Sequence, residues 1–525
     1  MDNSTIAAVA TAPGQGGIGV VRISGPLAPL IAAEVTGREL PPRQATFCAF
    51  RDTDHTVLDR GIAICFEPPH SYTGESVVEL QGHGGPAILD VLLRRVVDAG
   101  ARTARAGEFT ERAFLNGKLD LAQAEAVADL IASGSEAAAR AAVRSLEGAL
   151  SGRVATLTEH LTGLRVYVEA ALDFAEEEID FLSSQELQQR ADALQQDLAQ
   201  VMTLAEQGRV LQEGLTVVLA GRPNAGKSSL LNRLTDSDTA IVTDTPGTTR
   251  DLLSATIQLD GLALTLLDTA GLRESRDQIE QEGIRRALDA VQRASRVLLV
   301  CDVTRLDAEL ARQWLSAYSH GQLASRLRSW ANTELSVAQP ASPIDQSTRA
   351  TVPIDIVLNK LDLLSVEEQQ LWLRLGQLTG TVAEPDRVSG EPGNAMQPAM
   401  LPAADQPASP ERPTAVSPDG AMAGAVYLLS ATRGDGLAEL RCGLHAAAGI
   451  EDAAELFIAR ARHLHALERA AAAVDAGLQH LSHAGMPELA AEDFRVAQDA
   501  LGEITGTVTS DDLLGRIFAG FCIGK

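Results

Sequence analysis

Aromatic side chains are scarce in this chain, at 3% of 525 residues. So few rings cannot tile a surface on which nucleic-acid bases stack. Positive charge is short as well: 44 Lys and Arg stand against 70 Asp and Glu, a net charge of −26. A chain this acidic does not coat nucleic acid, so any RNA contact must come from a local basic face or through a partner. The cysteines Cys48, Cys65, Cys301, Cys442 and Cys522 are odd in number, and none forms a CxxC pair. That spacing indicates neither a disulfide framework nor a zinc site, and it fits a reducing compartment. No stretch approaches the ~20 apolar residues of a membrane span. Met1 to Thr5 carry no basic segment ahead of an apolar one. The expectation is a cytoplasmic protein with no membrane attachment.

A length of 525 residues implies about three or four domains. Residues 1–119 mix β-like runs (Ile18 to Ile23, Gly61 to Phe66) with a helical stretch from Ala87 to Val97, which reads as an α+β domain. Its glycine clusters, Gly14 to Gly19 and Gly82 to Gly85, lack the strand–turn–helix setting of a dinucleotide fingerprint. On composition alone Arg22, Glu79 and Lys118 read as surface charge. Residues 120–212 turn helical, with apolar positions three and four apart from Leu121 to Ile131 and from Leu157 to Leu172. The acidic knot Glu176 to Asp180 reads as a solvated terminus.

Residues 213–449 alternate strands and helices, with strand candidates Leu215 to Ala220, Ala263 to Leu267, Arg296 to Val300, Ile354 to Leu358 and Val426 to Leu429. Such alternation implies right-handed crossovers and a mostly parallel sheet. Two insertions interrupt it: 320–350, the Pro/Ser/Gln-rich tail of a stretch from 305 that opens with a helical-looking piece, and 380–424, which reads as a disordered surface loop. The second has too few large apolar residues to offset its ordering entropy. Helical patterning returns over 450–525, in Ala453 to Ala476, Leu489 to Ile504 and a segment opening at Ser510-Asp511-Asp512. The economical architecture is one all-α domain into which the α/β domain is inserted.

Chemistry concentrates in that insertion. Gly221-Arg-Pro-Asn-Ala-Gly-Lys-Ser-Ser229 lies between an apolar strand and a helix. This is a phosphate-binding loop: glycines let successive N–H groups face an anion, and the helix start adds partial positive charge. Lys227 reaches the β- and γ-phosphates there, and the Ser228 hydroxyl holds Mg²⁺. Gly247-Thr248-Thr249-Arg250-Asp251 follows as a switch loop. Asp268-Thr269-Ala270-Gly271 ends a strand, with Asp268 placed to hold the metal through water. In Asn359-Lys360-Leu361-Asp362, a carboxylate at Asp362 accepts guanine's N1–H and 2-amino group, a donor pair that adenine lacks. Rejecting a base that leaves buried polar groups unpaired is worth on the order of 10⁴-fold. Ser430-Ala431-Thr432 backs the base through its main chain. Five motifs in this order specify GTP. The glutamine that orients water in Ras-like enzymes is replaced by Leu272. Another group must serve, with Glu274, Asp277, Glu280 and Glu282 as candidates. Arg250 and Arg273 are alternative fingers, and a monovalent cation beside Asn224 is a third source of charge.

These motifs, the string Gly107-Glu-Phe-Thr-Glu-Arg-Ala-Phe-Leu-Asn-Gly-Lys-Leu-Asp-Leu121 and the terminal Cys-Ile-Gly-Lys closely resemble the TrmE (MnmE) family of tRNA-modification GTPases. The resemblance covers nearly all of the chain outside the insertions. It implies an N-terminal folate-binding, dimer-forming domain, a helical domain and an inserted P-loop GTPase domain. It implies that Arg22, Glu79, Lys118 and Lys525 bind a 5,10-methylenetetrahydrofolate-type folate, which replaces the surface-charge reading. Asn224, Ala225, Gly226, Lys227, Ser228, Ser229, Thr243, Asp244, Thr245, Pro246, Gly247, Thr248 and Thr249 would bind GTP. So would Asp268, Thr269, Ala270, Gly271, Asn359, Lys360, Asp362, Ser430, Ala431 and Thr432. Ser228 and Thr249 would ligate Mg²⁺, and Asn224, Thr243, Thr245 and Thr248 would ligate K⁺.

Glu280 would orient the hydrolytic water, and Cys522 is similar to a cysteine associated with modification, its alternative being a small buried apolar residue. The family is a homodimer that joins an MnmG-type FAD protein in a heterotetramer. Together they install an aminomethyl or carboxymethylaminomethyl group at C5 of the wobble uridine of certain tRNAs. Ala106 departs from the family's usual proline. A ribosome-assembly GTPase of the Era/Der kind is the alternative, but it would need a basic RNA-binding domain. A folate-dependent aminomethyltransferase would leave the GTPase motifs without a purpose.

Overall fold

The structure is a computed structural model describing residues 4–173, 185–237, 254–259, 261–268, 294–319, 329–331, 333, 352–378, 425–450, 455–481, 486–508, 511–521 and 524. The chain divides into two units: unit 1 comprises Met1–Gln212 and Asp452–Lys525, and unit 2 comprises Glu213–Glu451. Two separate stretches of sequence therefore build the first unit, and one continuous stretch builds the second.

In unit 1, β2 (Gly16–Ser24) and β5 (Val77–Gly84) form the middle of a six-stranded sheet. Side chains alternate between its faces. Val21, Ile23, Val78 and Leu80 are buried in a core shared with α1 (Ala28–Thr36) and α2 (Pro86–Asp98). Arg22 and Glu79, one step along, take the other face and sit opposite one another in the antiparallel register. The order is β3–β4–β5–β2–β1–β6, with β3 at Thr46–Arg51, β4 at Val57–Phe66, β1 at Ile6–Val9 and β6 at Arg102–Thr103. Only the β1–β6 pair is parallel.

Helices complete unit 1. A capping box opens α4 (Leu121–Ala132): the Asp120 side chain accepts from Gln123 N–H at 2.8 Å, and the Gln123 side chain accepts from Asp120 N–H at 3.0 Å. After α3 (Glu108–Leu115), α4 and α5 (Glu136–Leu146) come two long helices, α6 (Ala149–Asp173) and α7 (Gln185–Glu213). Buried positions 150, 154, 157, 161, 164 and 168, and then 187, 191, 194, 198, 201 and 205, step alternately by four and three. That step keeps one stripe of each helix facing the core. The same core takes in Leu467, Ala470 and Val474 of helix Ala461–Gln479, and Phe494, Ala497 and Leu501 of helix Pro487–Thr505.

The helix expected from Ala453 begins only at Ala461. Residues 456–460 carry no regular structure, although Leu456, Phe457, Ile458 and Ala459 are all buried. Four consecutive buried residues do not suit an amphipathic helix. The main chain bonds elsewhere: Ile458 N–H donates to Ser145 Oγ at 2.8 Å, and that hydroxyl donates to Ile458 O at 3.2 Å.

Unit 2 is a six-stranded sheet of order β12–β11–β10–β7–β9–β8. The strands are β7 (Leu215–Ala220), β8 (Ser254–Leu259), β9 (Leu262–Asp268), β10 (Arg296–Asp302), β11 (Ile354–Asn359) and β12 (Val426–Leu428). All pairs are parallel except β8–β9. Nearly continuous apolar runs suit strands covered on both faces. A buried ion pair crosses the sheet, with Arg296 Nη1 at 2.8 Å from both oxygens of Asp355. Among the described residues, no helix is long and apolar enough to cross a membrane.

Candidate functional sites

The phosphate-binding loop runs from the end of β7 into α8 (Lys227–Ser237). Lys227 is 5% exposed, and its ammonium donates to Gly221 O at 2.8 Å and Arg222 O at 3.1 Å. These bonds curl the loop around its own lysine. Gly226 has φ +98°, where a side chain is strained, and a Cβ there would lie 2.1 Å from Asn359 Nδ2. Asn359 is the hub. Its Nδ2 donates to Ala225 O at 2.9 Å, while its Oδ1 accepts from Lys360 N–H at 2.8 Å and Ala431 N–H at 3.0 Å. One buried amide thus joins the phosphate loop, the Asn-Lys-x-Asp motif and the Ser-Ala-Thr motif. The sequence places these as three separate strand ends; the structure brings them together through this side chain.

Asp302, at the end of β10, lies beside Asn359 in the parallel register and is a residue that motif reading passes over. Its Oδ2 accepts from Lys360 Nζ at 2.7 Å, and its Oδ1 accepts from Thr304 Oγ1 at 2.6 Å and Thr304 N–H at 3.1 Å. Burial pushes the Asp302 carboxyl up, but the bonds from Lys360 and Thr304 outweigh it and hold the group below the usual carboxylate range. Lys360 itself sits at φ +71°. Its anchored side chain and left-handed backbone set the turn that carries half-buried Asp362. The sequence signal for Asp302 was available: a carboxylate at the end of the strand next to the base motif.

The second site lies on the face of the unit 1 sheet opposite the α1–α2 core. Glu79 Oε1 accepts from Arg22 Nη2 at 2.9 Å and from Arg22 Nε at 3.1 Å. The guanidinium lies 5.3 Å from the Tyr72 ring centroid and 5.8 Å from that of Phe109, within cation–π range of both. Lys118 Nζ donates to Pro69 O at 3.0 Å. Gly524 reaches the same sheet, where a Cβ would lie 2.3 Å from Val9 O, so the chain end sits beside β1. Below this surface, Arg112 Nη1 meets Glu75 Oε2 at 3.0 Å and Ser24 Oγ donates to Glu75 Oε2 at 2.7 Å. Arg22 and Glu79 are therefore braced, half-buried groups, and not the loose surface charge that composition suggests.

Residues 5–118 match the N-terminal domain of the GTP-binding protein TrmE, and residues 121–522 match the MnmE helical domain. The chain is 47% identical to the tRNA modification GTPase MnmE of Pseudomonas fluorescens strain Pf-5 over 522 residues, 99% of each protein. It is 46% identical to that of Marinobacter nauticus over the same length and share. The chain belongs to the MnmE family. It is a GTP hydrolase that acts in tRNA modification. Among solved structures, an Aquifex aeolicus Era variant bound to GDP·AlF₄⁻ aligns at 16% identity and a TM-score of 0.23, covering 50% of this chain and 66% of that one. That superposition is too loose to carry an argument.

Several residues expected from the MnmE resemblance lie outside the described ones: Thr243, Asp244, Thr245, Pro246, Gly247, Thr248, Thr249, Thr269, Ala270, Gly271, Glu280, Cys522 and Lys525. Of Asp268 the backbone is described, in register with Leu219. Among the described site residues, Ser228, Ser229 and Thr432 are exposed and Ser430 is buried. Asn224 is exposed at φ +64°, in the left-handed conformation that asparagine tolerates best after glycine.

Proposed function

We propose that this GTPase is activated by K⁺ and works with an MnmG-type FAD-dependent partner on tRNA. The pair installs an aminomethyl or carboxymethylaminomethyl group at C5 of the wobble uridine. A methylenetetrahydrofolate-type folate supplies the one-carbon unit. The observation that carries this reading is the Arg22–Glu79 pair, half-buried on the sheet face that carries Tyr72 and Phe109, in a chain that also has a guanine-nucleotide site. A pterin presents a ring N–H beside an amino group, much as guanine does, and a braced carboxylate can accept from both. Glu79 would take that edge in unit 1 as Asp362 takes guanine in unit 2, with Arg22, Lys118 and Lys525 supplying positive charge around it.

In the nucleotide site, Ser228 and Thr249 would hold Mg²⁺, and Asn224, Thr243, Thr245 and Thr248 would hold K⁺. The exposed Ser228 in the first turn of α8 and the left-handed Asn224 suit those tasks. Bound there, the cations offset charge on the phosphates. Glu280 would orient the attacking water in place of the glutamine that Leu272 displaces. A homodimer, joined by the partner into a heterotetramer in the cytoplasm, completes the reading. Ile18, Phe47 and Ile62 are exposed on the unit 1 sheet, with Phe47 and Ile62 paired across adjacent strands, and offer such a dimer apolar area.

Mass spectrometry of wobble uridines in a strain lacking this protein tests the whole reading. Loss of the C5 group is expected, and unchanged tRNA overturns it. GTP turnover in K⁺ against Na⁺ tests the cation alone, with faster turnover in K⁺ expected and equal rates removing it.

A further inference from the structure

The chain leaves unit 1 after Gln212 and returns at Asp452. Both passages are gripped by one face of α4. Asp129 Oδ1 accepts from Gln212 Nε2 at 2.6 Å on the outgoing side. The same oxygen accepts from Arg460 Nη2 at 2.6 Å on the returning side. One turn earlier on α4, Glu125 accepts from Arg462 Nε at 2.8 Å and Nη2 at 2.6 Å, and from His463 Nε2 at 2.8 Å. The two passages also touch directly: a Cβ on Gly208 of α7 would lie 1.9 Å from Phe457 O.

The protonation of this cluster follows from its bonds. Arg460 N–H donates to His463 Nδ1 at 3.1 Å, so the ring is the neutral tautomer with its proton on Nε2, aimed at Glu125. Burial would raise the Glu125 carboxyl, yet His463 and Arg462 pull it down to about 2. Every charge is thus matched inside the protein. A core helix could be held more simply by apolar packing, and replacing buried ion networks with apolar residues is often neutral or stabilising. What this network adds is directional: it fixes two chain passages to one helix at defined positions.

Resting on the folate site proposed above for unit 1, we propose that Glu125 and Asp129 are positioning residues that couple the nucleotide cycle of unit 2 to the modification chemistry of unit 1. Because Asp129 holds the outgoing and returning passages on one oxygen, they move together, and a displacement of either reaches α4. Asp120, the N-cap of α4, directly follows the Gly117-Lys118-Leu119 segment, so α4 leads straight to the Lys118 side of the sheet-face site.

The test uses the full-length protein and three variants, D129N, G208A and Q212A. D129N removes the charge and keeps the shape. G208A forces the passages apart without changing any charge. Q212A removes one contact and leaves the buried ion pairs intact, so it remains folded even if the other two do not. Two quantities are read for each: GTP turnover of the purified protein, and the tRNA nucleoside that depends on this protein in cells at equal protein level. D129N and G208A keep wild-type turnover while the modified nucleoside falls, by about tenfold for D129N, as expected for weakening hydrogen bonds to a charged group. Q212A shifts the same way by about twofold. Product that tracks turnover in every folded variant, whether both hold or both fall, reduces the cluster to a structural tie and overturns the proposal.

Discussion

The phosphate loop of unit 2 and the carboxylate clasp of unit 1 both bury charge, and they do so by opposite routes. Lys227 reaches carbonyls five and six residues away along the chain. Glu125 reaches side chains 337 and 338 residues away. A site that must recognise a small polyanion is built from backbone, and backbone geometry is encoded locally in glycines and one lysine. A site that must hold distant segments together is built from side chains, and its members have no reason to be near one another in sequence. The phosphate cradle is local, whereas the clasp is not.

The contrast can be broken at either end. The largest effect is expected from Gly226→Ala, which adds a Cβ at φ +98° only 2.1 Å from Asn359 Nδ2. The loop and its hub cannot both keep their places, so GTP affinity falls by about 100-fold or more, measured by titration calorimetry. Retained affinity would mean that the loop does not depend on its local geometry. Next is Asp302→Asn, which leaves Lys360 without its carboxylate. GTP binds about tenfold more weakly, while preference over ATP is unchanged because Asp362 is intact. A loss of preference would assign Asp302 to base recognition.

The clasp makes its own prediction in pH. His463 is pushed below its ordinary value of 6.5 by burial. Below that pH the unfolded chain takes up a proton that the folded one resists, and stability falls. Glu125 is ordinarily near 4.5 and is held at about 2. Its contribution is full above 4.5 and is lost as pH falls toward 2. Asp129 acts in the opposite sense, because burial raises it and the strain it carries is relieved by protonation. Two losses against one gain lower the melting temperature of unit 1 as pH falls through this window, and Glu125→Gln flattens the lower part of the curve. A melting temperature that stays level across the window would remove the clasp as a stabilising device. The smallest effect belongs to Glu136→Ala, which deletes the exposed Arg140–Glu136 pair on α5. Melting shifts by no more than about 0.5 kcal/mol of stability, and a larger shift would erase the distinction between surface pairs and the clasp.

Legibility in the sequence follows the same divide. The apolar runs at Leu215 to Ala220 and Ile354 to Leu358 could be read as strands because a strand covered on both faces is apolar at every position. The phosphate loop, the Asn-Lys-x-Asp motif and the Ser-Ala-Thr motif are legible because each is a short string at the end of a strand. Asn359 could be named from its motif, but its bonds to Ala225 and Ala431 could not, since they join loops 134 and 72 residues apart. Asp302 is signalled in the sequence only as a carboxylate at a strand end, with no surrounding string to assign its bond to Lys360. The stretch 456–460 was misread as helix because four buried residues in a row resemble the middle of an apolar helix when no partner is visible. Its partner, Ser145, lies 313 residues earlier. Arg22 and Glu79 looked like surface charge because period-two alternation shows only that they leave the core, not that Tyr72 and Phe109 wait on the other side.

The split construction of unit 1 dictates an order of assembly. Unit 2 is one continuous stretch, so all of its strands have been synthesised before residue 452 is added. The stripes on α6 and α7 must wait for Leu467, Val474, Phe494 and Leu501 to cover them. During synthesis the helical core is therefore the last to close, with half of its apolar wall uncovered while the inserted unit folds. Asp129 and Glu125 spend that interval as solvated carboxylates and become buried only when Arg460, Arg462 and His463 arrive. The clasp is in this sense a completion signal, forming only in a chain that has already made its nucleotide-binding unit.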